Sequence, residues 1–363
     1  MQKKIISHAL MPLAWIYKQI VSLRNKFFDW HILISLSYPI PIISIGNLTV
    51  GGTGKTPHTE YLIELLKDKF PIAVLSRGYK RKSRGFILGN SQTLISQIGD
   101  EPYQMLHKYP EISVAVDESR CHGVECLMRE KSNLQVILLD DAFQHRYIKP
   151  GLSILLVDYH RPIFQDQMLP AGRLREPVQE KQRANIIIVS KCPSQMSSTE
   201  QEEWTKNISL EKGQTIFFTT LQYGNIYALF ATAIKKELTF LANKHVLLLA
   251  GIASPAPLIE ELSKYTPHIT TILYPDHHCF KSSDIRHISQ TFSRLPANER
   301  VVITTEKDAV RLLPCTNLSK EIKSCLYVLP IKVKFLNNTQ ESFNQNIINY
   351  VRENPRNSSI SKS

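Results

Sequence analysis

From Pro41 onward the chain alternates short, near-continuous apolar runs with segments of helical composition. The runs cover residues 42–45, 72–75, 113–116, 136–139, 154–157 and 186–189, and residues 58–69, 102–108 and 121–131 read as helices between them. A strand buried on both faces carries apolar residues without the alternation of a half-exposed strand. Strand–helix alternation of this kind predicts a doubly wound parallel α/β sheet, placed at 39–214. A different rhythm begins near Thr215. Residues 215–220 (TIFFTT) and 225–230 (NIYALF), with Tyr223-Gly224 between them, suggest a hairpin or an extended connector, so a β linker is set at 215–240. The α/β pattern restarts at 246–250, with a helix from about Pro257, runs at 301–304 and 326–329, and a last helix near 342–351. This gives a second, smaller α/β domain at 241–352. A chain of 363 residues is long for one core, which agrees with two domains. Residues 353–363 are polar and expected to be disordered.

The first 38 residues form a separate region. Ile6, Leu10, Leu13, Tyr17, Ile20, Leu23 and Phe27 fall at steps of three or four, one apolar face of a helix kinked or started at Pro12. Lys3, Lys4, Lys18, Arg24 and Lys26 against Asp29 are five positive charges against one negative, a net of +4, and Trp15 and Trp30 add interfacial aromatics. Such a helix either lies in the headgroup layer of an anionic membrane or packs on its own domain. No signal peptide is expected here, because charged residues interrupt the apolar stretch. Residues 31–45 are apolar but short and broken by Pro39 and Pro41, so no transmembrane helix is expected.

Composition changes the picture only a little. Apolar residues make up 43% and the 44 Lys and Arg against 32 Asp and Glu leave a charge of +12, a globular chain that attracts anions in general. The cysteines, Cys121, Cys126, Cys192, Cys279, Cys315 and Cys325, include no C-x-x-C pair, which argues against structural zinc and for a reduced, cytosolic setting.

Candidate chemistry starts at residues 44–57, SIGNLTVGGTGKTP. The usual phosphate-loop pattern, G-x-x-x-x-G-K-[ST], needs Gly five positions before Gly54, where this chain has Thr49. The rest fits. An apolar strand precedes the loop, Gly51, Gly52 and Gly54 let the backbone turn its N–H groups inward, and Gly46 upstream is a candidate to relax the turn in place of Thr49. Lys55 is placed to reach phosphates and Thr56 to offer a hydroxyl to Mg²⁺. A helix then starts, with Pro57 tolerated in its first turn. Residues 135–141 (QVILLDD) supply the acidic strand end that a phosphate loop requires for Mg²⁺, in Asp140 and Asp141. A guanine-reading N-K-x-D is missing, since residues 188–192 read IVSKC.

Further segments are SRGYKRKSRG (76–85), GDEP (99–102), DDAFQHR (140–146), LPAGRLREP (169–177), PDHH (275–278) and TTEKDA (304–309). In this order, and with the unusual loop GNLTVGGTGKTP, they resemble the tetraacyldisaccharide 4′-kinase family of the lipid A pathway from residue 46 to 309. The resemblance implies a P-loop kinase domain and a second α/β domain joined by a short two-stranded linker. It also implies transfer of the ATP γ-phosphoryl group to the 4′-hydroxyl of a tetraacylated disaccharide 1-phosphate, with ATP and Mg²⁺. It further implies a peripheral protein, expected to be a monomer, on the cytosolic face of a Gram-negative inner membrane, and so tilts the N-terminal helix towards an anionic membrane surface.

On this resemblance Thr49, Val50, Gly51, Gly52, Thr53, Gly54, Lys55 and Thr56 form the nucleotide loop, and Thr56, Asp140 and Asp141 hold the metal. Asp100 aligns with a base towards the acceptor hydroxyl, partnered by a His from the second domain, His277 rather than His278. Arg173 is the candidate cation on the transferring group, while Arg175 is read as a partner for Glu176. Arg77, Tyr79, Glu101, Arg120, Gln144 and His145 are substrate-side candidates. The basic run Lys80, Arg81, Lys82 and Arg84 is either a solvated face or a headgroup contact, and Lys307 either reaches the site or starts a helix. The rivals are a P-loop GTPase or ATPase acting as metallochaperone or assembly factor, and a non-enzymatic membrane or nucleic-acid binder. The absent N-K-x-D and C-x-x-C oppose the first; the second leaves the loop unused and lacks an interleaved basic–aromatic surface, so no nucleic acid is expected.

Overall fold

The computed structural model describes residues 9–354 and Asn357. Ile6, Lys3, Lys4 and most of the tail lie outside the described residues. The chain forms two compact units, one from the residues up to Thr93, Met105–Leu221 and the residues from Val333, the other from Leu94–Gln104 and Gln222–Lys332.

The first unit is built on a nine-stranded sheet. Its strands are β1 (Ile42–Asn47), β2 (Ile72–Ser76), β3 (Ile87–Leu88), β4 (Ser113–Val116), β5 (Val136–Asp140), β6 (Leu152–Asp158), β7 (Ile186–Ser190), β8 (Thr215–Tyr223) and β15 (Ile331–Phe335). The order is β15-β8-β7-β6-β1-β5-β2-β4-β3, and the six pairings from β8 through to β4 are parallel. Continuous apolar runs are needed because helices cover both faces. On one side Leu62, Ile63 and Leu66 of the helix Lys55–Leu66, with Phe343 and Ile347 of the helix Gln340–Arg352, pack on Ile43, Ile45 and Leu138. On the other, Val124 and Leu127 of the helix Arg120–Glu130 meet Leu75 and Leu139, and Trp204 and Ile208 of the helix Ser198–Ile208 meet Leu155 and Ile187.

The second unit has six strands, β9 (Ile226–Ala228), β10 (Ala231–Lys236), β11 (His245–Ala250), β12 (Ile269–Leu273), β13 (Arg300–Thr305) and β14 (Leu326–Leu329), in the order β10-β9-β14-β13-β11-β12. The strands from β14 to β12 are parallel. Leu258 and Leu262 of the helix Ala256–Ser263 cover Val246 and Leu248, while Ile285, Ile288 and Phe292 of the helix Ser282–Ser293 cover Leu247 and Leu249.

Four details differ from the sequence reading. β8 and β9 form no hairpin: β8 runs parallel to β7, and β9 pairs with β10 and β14 in the other sheet. The strand beside β8 is β15, so the chain returns to the first unit at Val333 instead of continuing the second to 352. The Tyr350 hydroxyl fixes that return, accepting from Ile42 N at 3.1 Å and donating to Ile42 O at 3.1 Å. Leu94–Gln104, with Asp100, belongs to the second unit. Finally, Asn357 in the expected disordered tail is buried and donates to Gln135 O at 3.0 Å and Val351 O at 2.8 Å.

The N-terminal helix spans Met11–Asp29, but its buried stripe is Ala14, Val21, Asn25 and Phe28. Leu13, Ile20 and Leu23 of the expected apolar face are exposed, and Leu10, Tyr17 and Phe27 are half-buried. Among the described residues no helix is long and apolar enough to cross a membrane.

Gly46 lies inside β1 and so does not relax the loop. Its lack of a side chain serves packing: a Cβ there would stand 2.6 Å from Phe143 Cβ and 2.8 Å from Phe143 N. Gly46→Ala should therefore cost about 1–3 kcal/mol in urea unfolding, because backbone must move. Gly52→Ala, whose Cβ meets nothing within 4 Å, should unfold within about 0.5 kcal/mol of the parent. Equal midpoints for the two variants would refute the packing account.

Candidate active site

The loop after β1 is held from three sides. Gly51 (φ 113°) and Gly54 (φ 82°) take left-handed backbone that a side chain would strain, and Gly54 is the N-cap of the helix beginning at Lys55. Unpaired amides at that helix start favour an anion. Residues 173–175 run along the loop entry: Val50 N donates to Arg173 O at 2.8 Å, Thr49 bridges Leu174, and Arg175 N donates to Leu48 O at 2.7 Å. Buried Thr49 thus has a pairing role where a standard loop has glycine. Below, Ser190 Oγ donates to Thr53 O at 2.8 Å, and Lys191 bonds the Gly52 carbonyl while pairing with Asp158 at 2.7 Å. His58 is buried between Gly54 O (2.7 Å) and Thr219 Oγ1 (3.0 Å), and burial lowers its pKa to about 4, so it is a neutral brace.

Charge gathers where β1 and β5 end. Lys55 Nζ lies 3.4 Å from Asn47 Oδ1 and 3.7 Å from Asp141 Oδ1. Arg175 joins the same pair, reaching Asp141 Oδ1 at 3.0 Å, Asn47 O at 3.0 Å and Asn47 Oδ1. Its expected partner Glu176 is instead buried against Arg183 and Arg24. Burial alone would raise the Asp141 carboxyl, but the charges of Lys55 and Arg175 outweigh it and hold it below the usual range. Asp140 is buried and accepts from Thr59 Oγ1 at 3.0 Å. Thr56 stands half-buried on the first turn of the same helix. One hydroxyl and two carboxylates fit Mg²⁺, which takes one or two carboxylates and completes its shell with phosphate oxygens and water.

The substrate-side candidates separate. Arg120 is buried, donating to Asp117 O at 2.7 Å and Asp140 O at 3.4 Å, and burial lowers its pKa to about 10. His145 is lowered to about 4 by burial and by the charges of Arg120 and Arg77, so it is neutral. Gln144 is tied into the structure: its side-chain amide donates to Asn47 O at 2.7 Å and its backbone carbonyl accepts from Arg24 at 2.9 Å. Arg77 and Tyr79 are exposed, and of the basic run Arg81 pairs with Glu118 at 2.7 Å. Arg173 is exposed beside the loop, where it lines a small cleft with Arg161 and Asp166.

In the second unit Asp100 Oδ2 accepts from His277 Nδ1 at 3.0 Å and from Arg311 Nε at 2.9 Å. The expectation that Asp100 and His277 sit in different domains is thus corrected: they share a unit and a hydrogen bond. Burial would raise the Asp100 carboxyl, but the His277 bond and the Arg311 charge prevail and lower it. His277 has a left-handed backbone (φ 64°). His278 turns away to Asp284 at 2.8 Å, stacked on Tyr274 at 4.4 Å, and so holds the PDHH turn. Lys307, on the helix Glu306–Leu312, lies 3.2 Å from His277 Nε2, 3.3 Å from Asp276 and 3.9 Å from Glu101. Sequence reasoning missed Asn47, His58, Lys191 and Arg311; only Asn47 carried a signal, as the polar end of an apolar run.

Comparison with known proteins follows the same line. The family model for tetraacyldisaccharide-1-P 4′-kinase matches residues 6–352. A tetraacyldisaccharide 4′-kinase of Bacteroides thetaiotaomicron is 51% identical over 362 residues, covering 97% of this chain and 95% of that protein. One from Flavobacterium johnsoniae is 44% identical, covering 96% and 98%. A crystal structure of LpxK from Aquifex aeolicus in complex with ATP superposes with a TM-score of 0.75 at 28% identity, over 95% of this chain and 99% of that one. With a matching family model over most of its length and relatives at this identity, the chain belongs to the tetraacyldisaccharide-1-P 4′-kinase family.

Proposed function

We propose that this chain transfers the γ-phosphoryl group of ATP to the 4′-hydroxyl of a tetraacylated disaccharide 1-phosphate lipid. The observation that carries the reading is Lys55 at the head of its helix, 3.7 Å from Asp141, which Arg175 also holds. Phosphoryl transfer needs positioned cations around a spreading negative charge more than it needs covalent chemistry. In this reading the loop Thr49–Thr56 takes the outer phosphates through Lys55 and through the amides that Val50 and Thr53 do not already spend on Arg173 and Gly51, Arg173 adds a cation, and Thr56 with Asp140 and Asp141 would hold Mg²⁺. Bound there, the ion would neutralise the negative charge on the phosphate oxygens as the P–O bond breaks. Asp100, kept ionised, accepts the proton of the attacking hydroxyl, and Arg77, Tyr79, Glu101, Arg120 and His145 are assigned to the substrate side.

The same reading places the protein, as a monomer, at an anionic membrane surface on the cytosolic side. Trp15, Ile20 and Ile34 are 64%, 63% and 69% exposed, and Leu13, Ile16, Leu23, Trp30 and Ile32 extend this apolar surface. Lys18 and Lys26 are exposed on the same helix. Each large apolar side chain buried in lipid contributes about 1.5–3 kcal/mol, so a few suffice for peripheral attachment.

Two experiments test these assignments. Label from γ-labelled ATP should appear in the lipid with wild type and fall by about a hundredfold or more with Lys55→Ala and with Asp100→Asn. Hydrolysis of ATP without labelled lipid would mean the wrong acceptor, and full turnover by folded Asp100→Asn the wrong base. For the membrane, Leu13→Glu/Ile20→Glu should lose co-sedimentation with anionic vesicles while its melting temperature stays near wild type, since both positions are exposed. Retained co-sedimentation would overturn the helix assignment.

A further inference from the structure

We propose that Tyr17 and Arg24, on the inner face of the N-terminal helix, are positioning residues for the phosphate site. They hold the backbone of Arg175 and Gln144, whose side chains meet at the Asn47 carbonyl. The proposal rests on the reading of residues 49–56 as a nucleotide loop. It does not depend on which acceptor receives the phosphoryl group.

The helix Met11–Asp29 has two faces with different surroundings. Leu13, Ile16, Ile20 and Leu23 are exposed and belong to the apolar surface described above. Ala14, Tyr17, Val21, Arg24 and Phe28 recur at steps of three and four and are buried or half-buried. A helix that only attached the protein to lipid would need apolar packing on this inner side and nothing more. Here the stripe includes two polar side chains that reach out to other segments.

Tyr17 Oη donates to Arg175 O at 3.0 Å, across 158 positions of sequence. The Arg175 amide donates to Leu48 O at 2.7 Å, at the entry of the glycine loop. Residue 175 is therefore pinned at both its N–H and its C=O, which sets the origin of its side chain. That side chain reaches Asp141 Oδ1 at 3.0 Å and Asn47 O at 3.0 Å.

Arg24 does the same for residue 144. Its Nη2 donates to Gln144 O at 2.9 Å, and its Nη1 stands 3.9 Å from Glu176, next in the chain after Arg175. The Gln144 side chain in turn donates to Asn47 O at 2.7 Å. Two residues held from the helix thus converge on one carbonyl at the end of β1, and Lys55 lies 3.4 Å from the side chain of that same Asn47. The grip is itself anchored. Phe28, 3% exposed, carries the guanidinium groups of Arg24 and Arg146 at 5.6 and 5.0 Å from its ring centre. Arg146 also donates to Asn25 O at 2.9 Å and pairs with Asp29 at 2.6 Å, closing the C-terminal end of the helix.

Removing these groups leaves the fold its other bonds. Gln144 O also accepts from Arg146 N at 3.1 Å, and Glu176 stays paired with Arg183, so Arg24→Met orphans neither. Tyr17→Phe takes one hydroxyl from a half-buried ring.

The test is the Kd of ATP with Mg²⁺, by calorimetry on the full-length protein without lipid acceptor. Tyr17→Phe should weaken ATP binding about three- to tenfold and Arg24→Met about tenfold, the range of a lost neutral and a lost charged hydrogen bond. Melting temperature without nucleotide and co-sedimentation with anionic vesicles should stay near wild type. Positioning makes one further demand. Tyr17 acts through Arg175, so Tyr17→Phe should cost nothing more in an Arg175→Met background. Equal losses in the two backgrounds, or wild-type affinity in both single variants, overturn the proposal. If Arg175→Met does not fold, the single-variant affinities decide. Absence of ATP binding by wild type would sink the loop reading on which the proposal rests, whereas the expected affinities without labelled lipid would remove only the acceptor.

Discussion

The structure depends on the exclusion of water from both faces of its parallel strands. A backbone buried in this way tolerates few polar side chains along its length, and those it has collect at the strand ends. Asn47, Ser76, Asp140, Asp158 and Ser190 are each the last residue of a strand in the first unit. Register then makes neighbours of two of them, Asp158 and Ser190, and sets Asp140 beside Ile45, two residues before Asn47. The glycine loop follows one of these ends, so the chemistry of Lys55 is delivered to Asn47 and Asp141 by the same packing that makes the core. Ligands of open α/β sheets bind at this carboxyl edge for that reason.

How much of this was legible follows from the same constraint. The six continuous runs at 42–45 to 186–189 all became strands, because burial on both faces writes itself into local sequence. Edge strands do not. β12 carries ITTIL with only Ile272 buried, and β10 reads ATAIKK; neither has a run to find. The polar helix Ser198–Ile208 buries only Trp204 and Ile208, too few to show a period. The N-terminal periodicity was real but described the outside of its helix, since apolar spacing marks a face without saying what covers it. In the site, Lys55, Asp140 and Asp141 were legible as a spacing. Arg311 was not: it meets Asp100 from 211 positions away, and no local pattern encodes such a pair. Arg175 was misassigned for the opposite reason, adjacency to Glu176 in sequence being no guide to contact.

Carboxylates in both units are held below their usual range against the pull of burial, Asp141 by Lys55 and Arg175, Asp100 by the His277 bond and the charge of Arg311. Removing one partner of such a pair leaves an uncompensated charge, which costs far more than the pair itself contributes. The two arrangements nevertheless differ in kind. Around Asp141 the cations are loosely placed and shared: Lys55 stands 3.7 Å away and also touches Asn47, and Arg175 divides itself between the same two residues. A phosphate arriving at the loop offers these cations more charge than Asp141 does, so their present contacts are ones a ligand can replace.

Arg311 has no such freedom. Its fork is filled by Asp100, its remaining amino group by Asp308 and Gly251, and Asp308 is sealed by Thr305 and the Gly251 amide. No group there is left over for an incoming anion. A cation that is to bind an anionic ligand must be able to exchange partners, whereas a cation that only holds a half-buried carboxylate ionised need not. By that criterion Lys55 and Arg175 can take a new partner and Arg311 cannot. The distinction rests on satisfied bonds rather than on distance to a substrate.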